Sequence, residues 1–192
     1  MMKKSILILA IFFSALVMAY AQAPLQVGDT APLFSGTTDD GSAWNVSNYL
    51  GKKFIVVYFY PAAMTGGCTA QACAYRDFQN DIQDADALVV GVSGDNQSGL
   101  QLFRKAHDLN FTLLSDENGA IAKKFGVPTR EGGTISRELA GEFYDLVRGV
   151  TTNRWTFVID KKGKIVYKNE EVNPERDTEQ VLSFIKTQKA SM

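Results

Sequence analysis

What this chain has little of narrows its possible roles first. Among 192 residues there are two cysteines, one histidine and five prolines. Two cysteines cannot staple a domain of this length, so a buried apolar core must hold it together. His107, the single histidine, lies far along the chain from both cysteines. No zinc-type ligand set follows from that spacing, and no metal or other cofactor is called for. An excess of one charge is also missing, since 20 basic and 21 acidic residues give a formal net charge of −1. Without a basic stripe, nucleic-acid binding is not expected. There is no internal repeat, no low-complexity linker and no sign of a second core, so one domain is expected.

Long hydrophobic runs are confined to the start, "MMKKSILILAIFFSALVMAYAQAP". Lys3 and Lys4 precede an apolar stretch from Ile6 to Met18, and small residues follow at Ala19, Ala21 and Ala23. That order reads as a signal peptide over residues 1–21, with a single domain over 22–192. Cleavage is expected after Ala21, because a cut after Ala23 would leave Pro24 at the new terminus. An uncleaved anchor is the alternative, but the run is short for a span of about 20 residues. Removing two lysines takes the net charge from −1 to about −3. An exported chain, periplasmic in a bacterium, meets a compartment where disulfides persist.

Beyond the leader, strand and helix signals alternate. Apolar and polar residues alternate around Asp40-Gly41, which reads as an N-terminal β-hairpin. "KFIVVYFYP" is a β-branched and aromatic run ended by Pro61, the pattern of a strand buried on both faces. A helix is expected from about Thr69 through Ile82, then strand "ALVVGVSGD", helix "SGLQLFRKAHDL", strand "FTLLSD" and short helix "GAIAKKFGVP". "RWTFVID" and "IVYKN" flank a turn, and a last helix runs roughly from Glu175 to Lys189. These elements make an α/β domain whose central sheet is flanked by helices. Between them lies a long connection at about 129–153, and connections of that length tend to be functional or mobile.

Chemistry concentrates in "YFYPAAMTGGCTAQAC", Tyr58 to Cys73. Cys68 falls where a helix begins, at the positive end of the helix dipole and among unpaired N–H groups. Both features favour thiolate, the nucleophilic form. Gly66 and Gly67 let a small oxygen-bearing ligand approach the backbone, and Thr65 adds a hydroxyl three residues before the sulfur. Cys73 follows five residues later in the same helix. Helix geometry then sets the two side chains some 140° apart, with Cα atoms roughly 8–9 Å apart. A disulfide needs Cα atoms within about 7 Å, so the bond requires local unwinding. A pair that alternates between states fits this better than a permanent staple.

The segment "YFYPAAMTGGCTAQACAYRD" resembles the active site of peroxiredoxins, thiol peroxidases of thioredoxin-like fold. Their Pro-x-x-x-Thr-x-x-Cys pattern is filled by Pro61, Thr65 and Cys68. The spacing to Cys73 is similar to that of the peroxiredoxin Q, or bacterioferritin comigratory protein, subfamily. "FTLLSDENGAIAKKFGV" and "RWTFVIDKKGKIV" resemble later segments of that family, so the likeness spans about Leu25 to Lys189. The resemblance implies a peroxidatic Cys68, a resolving Cys73 that closes an intramolecular disulfide, and a peroxide-binding Thr65. It implies an Arg154 that steadies thiolate and peroxide, a Pro61 that shapes the pocket, and N–H groups of Gly67 and Cys68 that bind oxygen. It also implies a peroxide substrate, a thioredoxin-like reductant and a monomer.

Two departures stand out. Gly66 occupies the place where peroxiredoxin Q proteins usually carry proline, which frees one φ angle. The 129–153 connection exceeds the family's usual length; Arg130, Glu131, Arg137, Glu138, Glu142 and Arg148 are expected to form a solvated surface there, with a lid or reductase-docking role as the alternative. Rival readings remain: an exported thiol–disulfide oxidoreductase, a copper-delivery protein, or a non-enzymatic domain with a structural disulfide. The first needs Cys-x-x-Cys, and the second needs closer cysteines and a late histidine. His107 is expected to be an ordinary helix-face histidine, and Tyr58, Phe59 and Tyr60 to be core and pocket wall.

Overall fold

The computed structural model describes residues 25–191; the expected leader over 1–21 lies outside the described residues. Strands β1 (Ser35–Thr38) and β2 (Ala43–Asn45) form the expected N-terminal hairpin, turning at Gly41 in the left-handed region (φ 87°). Strand β3 (Phe54–Phe59) leads to helices α1 (Gly66–Asp77) and α2 (Gln79–Asp84), then to β4 (Ala87–Ser93) and α3 (Gln97–His107). Next come β5 (Thr112–Ser115), α4 (Ala120–Phe125), β6 (Thr129–Leu139) and β7 (Glu142–Thr152), and finally β8 (Trp155–Ile159), β9 (Ile165–Asn169) and α5 (Asp177–Ala190). Seven strands make one mixed sheet in the order β2-β1-β5-β4-β3-β8-β9. The central strands β3, β4 and β5 are parallel, while β8 runs antiparallel to β3.

All six residues of β3 are fully buried, because both faces of the sheet are covered. Phe54, Val56 and Tyr58 pack with α1, α2, α3 and α5. Ile55, Val57 and Phe59 pack on the opposite face with α4 and the hairpin. Burying each such side chain contributes roughly 1.5–3 kcal/mol, which explains why the run stays continuously apolar.

Two expectations are corrected. The single helix expected over 69–82 begins earlier, at Gly66, and breaks at Phe78, whose ψ of 12° leaves the helical region. Apolar spacing continues through the break at Tyr75, Phe78 and Ile82, all of which face the same cluster, so the sequence carries no sign of it. The stretch 129–153, expected as a connection, is built as a separate antiparallel ribbon of β6 and β7 with its tip at Ala140-Gly141. Its base is tightly docked. The Gly149 amide donates to Gly94 O (3.0 Å) and the Asn96 amide to Val147 O (2.9 Å). A Cβ at Gly149 would lie 2.1 Å from Glu117 O, so only glycine permits this approach.

Candidate active site

Strand β3 delivers the chain to the sulfur site. Tyr60 still bonds to the sheet, its amide donating to Val92 O (3.1 Å), and the loop from Pro61 to Thr65 then crosses to α1. That loop is held from two sides. The Ala63 amide donates to the buried Asp95 carboxylate (2.8 Å), and Thr152 Oγ1 of the ribbon donates to Tyr60 O (3.0 Å). Met64 adopts a left-handed φ of 59°, unusual for a side chain of its size. Its carbonyl accepts from Arg137 Nε of β6 (3.1 Å).

Thr65 is the N-cap residue of α1 with an extended backbone (φ −109°, ψ 149°). Its hydroxyl caps nothing; it donates to Ala62 O at 2.8 Å. The remaining lone pairs can therefore accept from a ligand O–H. The first intrahelical bond runs from the Thr69 amide to Thr65 O (2.8 Å), so the N–H groups of Gly66, Gly67 and Cys68 have no carbonyl in a preceding turn. Cys68, at 1% exposure, sits among those donors, while Gly66 and Gly67 remain open to solvent.

Arg154 reaches the sulfur by strand parity. Residues 154, 156 and 158 project from β8 toward the face that α1 and α5 cover, whereas Trp155 and Phe157 belong to the other face. Its Nη2 lies 3.2 Å from Cys68 Sγ, and its Nη1 donates to Gln71 Oε1 (2.6 Å). Beside Gly67, a Cβ would make ordinary 3.5 Å contacts with Arg154 Nη2 and Pro174 Cγ, so backbone, guanidinium and Pro174 share one small space.

Behind Arg154 lies a buried network absent from the sequence expectations. Gln71 Nε2 (2.7 Å), Tyr75 Oη (2.7 Å) and Thr156 Oγ1 (2.9 Å) all donate to Asp177 Oδ2, at the first turn of α5. Burial pushes the Asp177 carboxyl up from its ordinary range, against the pull of those three donors and the Arg154 charge. Gln71 was findable in principle, one turn after Cys68 on the same helix face; Asp177, over a hundred residues away, carried no local signal.

The structure thus brings Gly67 and Arg154 to Cys68 and sets Thr65 at the same helix N-terminus, whereas Pro61 lines a cleft with Thr65 and the ribbon, and Cys73 stands apart. Cys73 is half-buried in an unbroken α1, and both thiols are free. His107 ends α3 against the Phe103 ring and touches none of the Arg154 network; burial and the nearby Arg76 charge lower its proton affinity. Two charges expected on a solvated surface are not there. Arg148 is buried, and Arg137 is half-buried against the Met64 carbonyl, because the ribbon folds back onto the thiol loop.

Comparison with known proteins places this geometry in context. Residues 27–168 match the AhpC/TSA family model. A chloroplastic peroxiredoxin Q from Populus jackii is 38% identical over 167 residues, covering 86% of this chain and 70% of that protein. Peroxiredoxin Bcp from Escherichia coli K12 is 37% identical over 163 residues, covering 85% of this chain and 97% of that protein. Peroxidoxin BcpB of Mycobacterium tuberculosis superposes with a TM-score of 0.70 at 30% identity, over 85% of this chain and 97% of that one. A Xylella fastidiosa PrxQ mutant shares the fold, with a TM-score of 0.73 at 22% identity over 88% and 99% of the two chains.

Proposed function

The chain belongs to the AhpC/TSA family as a peroxiredoxin of the Q/Bcp group, a thiol-dependent peroxidase, and from that premise we propose that Cys68 is its peroxidatic cysteine. The observation that carries this reading is the Arg154 guanidinium, 3.2 Å from a buried sulfur at a helix N-terminus. A fixed cation and unpaired N–H groups await the negative charge that develops on the peroxide oxygens.

In the proposed cycle a peroxide enters with its O–H toward Thr65 and its oxygens toward the Gly67 and Cys68 amides and Arg154. The Cys68 thiolate attacks one oxygen; the S–O bond forms as the O–O bond breaks, and the leaving oxygen takes up the proton as water or alcohol. Sulfur is oxidised by two electrons to the sulfenate, which takes a proton from solvent to give the neutral sulfenic acid. Pro61 shields that species on the loop side. Cys73 then attacks the sulfenic sulfur, forming the disulfide and releasing water, and a thioredoxin-like dithiol returns both thiols. The attraction between thiolate and Arg154 holds the first turn of α1 in place. A neutral sulfenic acid loses most of that attraction, so chemistry itself releases the segment that must unwind for resolution.

The cycle closes within one chain, so a monomer suffices. The exported location rests on the leader over residues 1–21; intact mass beginning at Gln22 in a periplasmic fraction supports it, and a retained Met1 contradicts it. Hydrogen peroxide consumption in stopped flow tests the chemistry. Wild type should turn over with a reductant, Cys73→Ser should complete one equivalent and stop, and Cys68→Ser should consume nothing. Consumption by Cys68→Ser at the wild-type rate rules out the assignment.

A further inference from the structure

An unbroken line of polar contacts runs from the start of α5 to the sulfur. Asp177 Oδ2 accepts from Gln71 Nε2 (2.7 Å), Gln71 Oε1 accepts from Arg154 Nη1 (2.6 Å), and Arg154 Nη2 lies 3.2 Å from Cys68 Sγ. Gln71 and Asp177 are fully buried, so solvent does not stand in for either partner. A guanidinium only donates and a carboxylate accepts, so one of the two amide orientations of Gln71 satisfies both neighbours. Turned over, the amide would aim N–H groups at Arg154 and its oxygen at Asp177, two mismatches in a buried site. Tyr75 Oη and Thr156 Oγ1 donate to the same Asp177 oxygen and fix the carboxylate in turn. Arg154 makes no ion pair among the described residues. Asp177 stands one amide away from that cation, so Arg154 keeps Nη2 for the sulfur.

We propose that Asp177 is a positioning residue for the reaction of Cys68: by holding the Gln71 amide in one orientation, it keeps the Arg154 guanidinium aimed at the sulfur and the incoming peroxide. The inference rests on the peroxidase reading above. Among the described residues, Arg154 has two hydrogen-bond partners, Gln71 and the reacting sulfur itself. Gln71 is therefore the one that stays the same while the sulfur changes state, and Asp177 decides which end of its amide Arg154 meets. Displacing a group that meets the transition state by 1 Å costs up to about 10²-fold in rate. Asp177 touches neither the sulfur nor the peroxide; no bond to it forms or breaks.

Stopped-flow oxidation of the reduced, purified protein by hydrogen peroxide tests this. Asp177→Ala should react about tenfold more slowly than wild type. Asp177→Asn should recover most of that loss, because three donors on one oxygen draw the Asn carbonyl to the same place. Tyr75→Phe removes a donor from the carboxylate without touching Gln71, and should stay within about twofold of wild type. In a Gln71→Ala background, adding Asp177→Ala should cost no further rate, because the path to Arg154 is already cut. An equal fold-loss in both backgrounds overturns the proposal, as does Asp177→Asn as slow as Asp177→Ala, or Tyr75→Phe as slow as either. If Asp177→Ala does not fold, Asp177→Ser makes the same comparisons, with a polar side chain one bond too short to hold Gln71. Wild type separates the two claims: rapid consumption that no Asp177 variant slows removes the positioning role alone, and no consumption at all removes the peroxidase reading with it.

Discussion

The first turn of α1 and its last two turns carry the two cysteines, and they are held by different means. The first turn contains Gly66 and Gly67, has no side-chain cap at Thr65, and depends on Arg154 and Gln71. The last turns are packed and pinned. Tyr75 stacks on Tyr58 with ring centroids 4.9 Å apart and donates to Asp177, and Arg76 donates to His107 O (2.6 Å). Packing of this kind persists whatever the charge on sulfur, whereas the hold of Arg154 on Cys68 depends on that charge. In the proposed cycle, the sulfur that is oxidised sits on the turn held through Arg154, and the sulfur that resolves it sits on the packed turns.

The most severe way to break this difference is to remove the cation. Arg154→Ala should lower the second-order rate of Cys68 with peroxide by about 10²–10³-fold, comparable to deleting one oxyanion donor. Stopped-flow kinetics checks this; a loss under threefold would make Arg154 a bystander.

Removing Asp177 attacks both halves at once, since it anchors Gln71 on one and Tyr75 on the other. Asp177→Ala leaves three buried donors unsatisfied, and denaturant unfolding should show a loss of about 3 kcal/mol. Asp177→Asn isolates the charge. Burial raises the folded carboxyl's pKa, so its contribution is full below the unfolded value of about pH 4 and is lost as pH rises through the raised folded value. Wild type should lose stability across that window and Asp177→Asn should lose less. Parallel curves would mean that the carboxyl titrates normally.

The gentlest change sharpens the contrast instead of erasing it. Thr65 is already extended, as a residue before proline prefers, and a Cβ at Gly66 would meet nothing within 4 Å. Gly66→Pro at this first helical position should add about 0.4–1 kcal/mol and slow disulfide formation after oxidation. Faster closure in that variant would show that the first turn does not limit resolution.

Much of this was legible in the sequence, for identifiable reasons. Strand β3 declared itself because both faces are buried, and the Pro61, Thr65 and Cys68 spacing is local to one loop. Arg154 could be named only through the family resemblance, since alone it reads as an ordinary strand-edge cation, and the register of β8 on β3 is what points it at the sulfur. The ribbon was hidden, because "TREGGTISREL" has two adjacent glycines and few apolar residues to mark a strand. Its strands are held by pairing with each other and by docking at Gly94, a contact between distant residues. The burial of Arg148 and the Asp177 hub are likewise products of tertiary packing, without a local pattern to read.

Hydrogen exchange across Gly66–Asp77, before and after one equivalent of peroxide, tests the central claim most directly. The reduced protein should protect amides along the whole helix, with the oxidised protein losing protection in the first turns around Cys68 and keeping it around Tyr75 and Arg76. Equal protection throughout the helix in both states, with the Cys68–Cys73 disulfide confirmed by mass, would contradict the account.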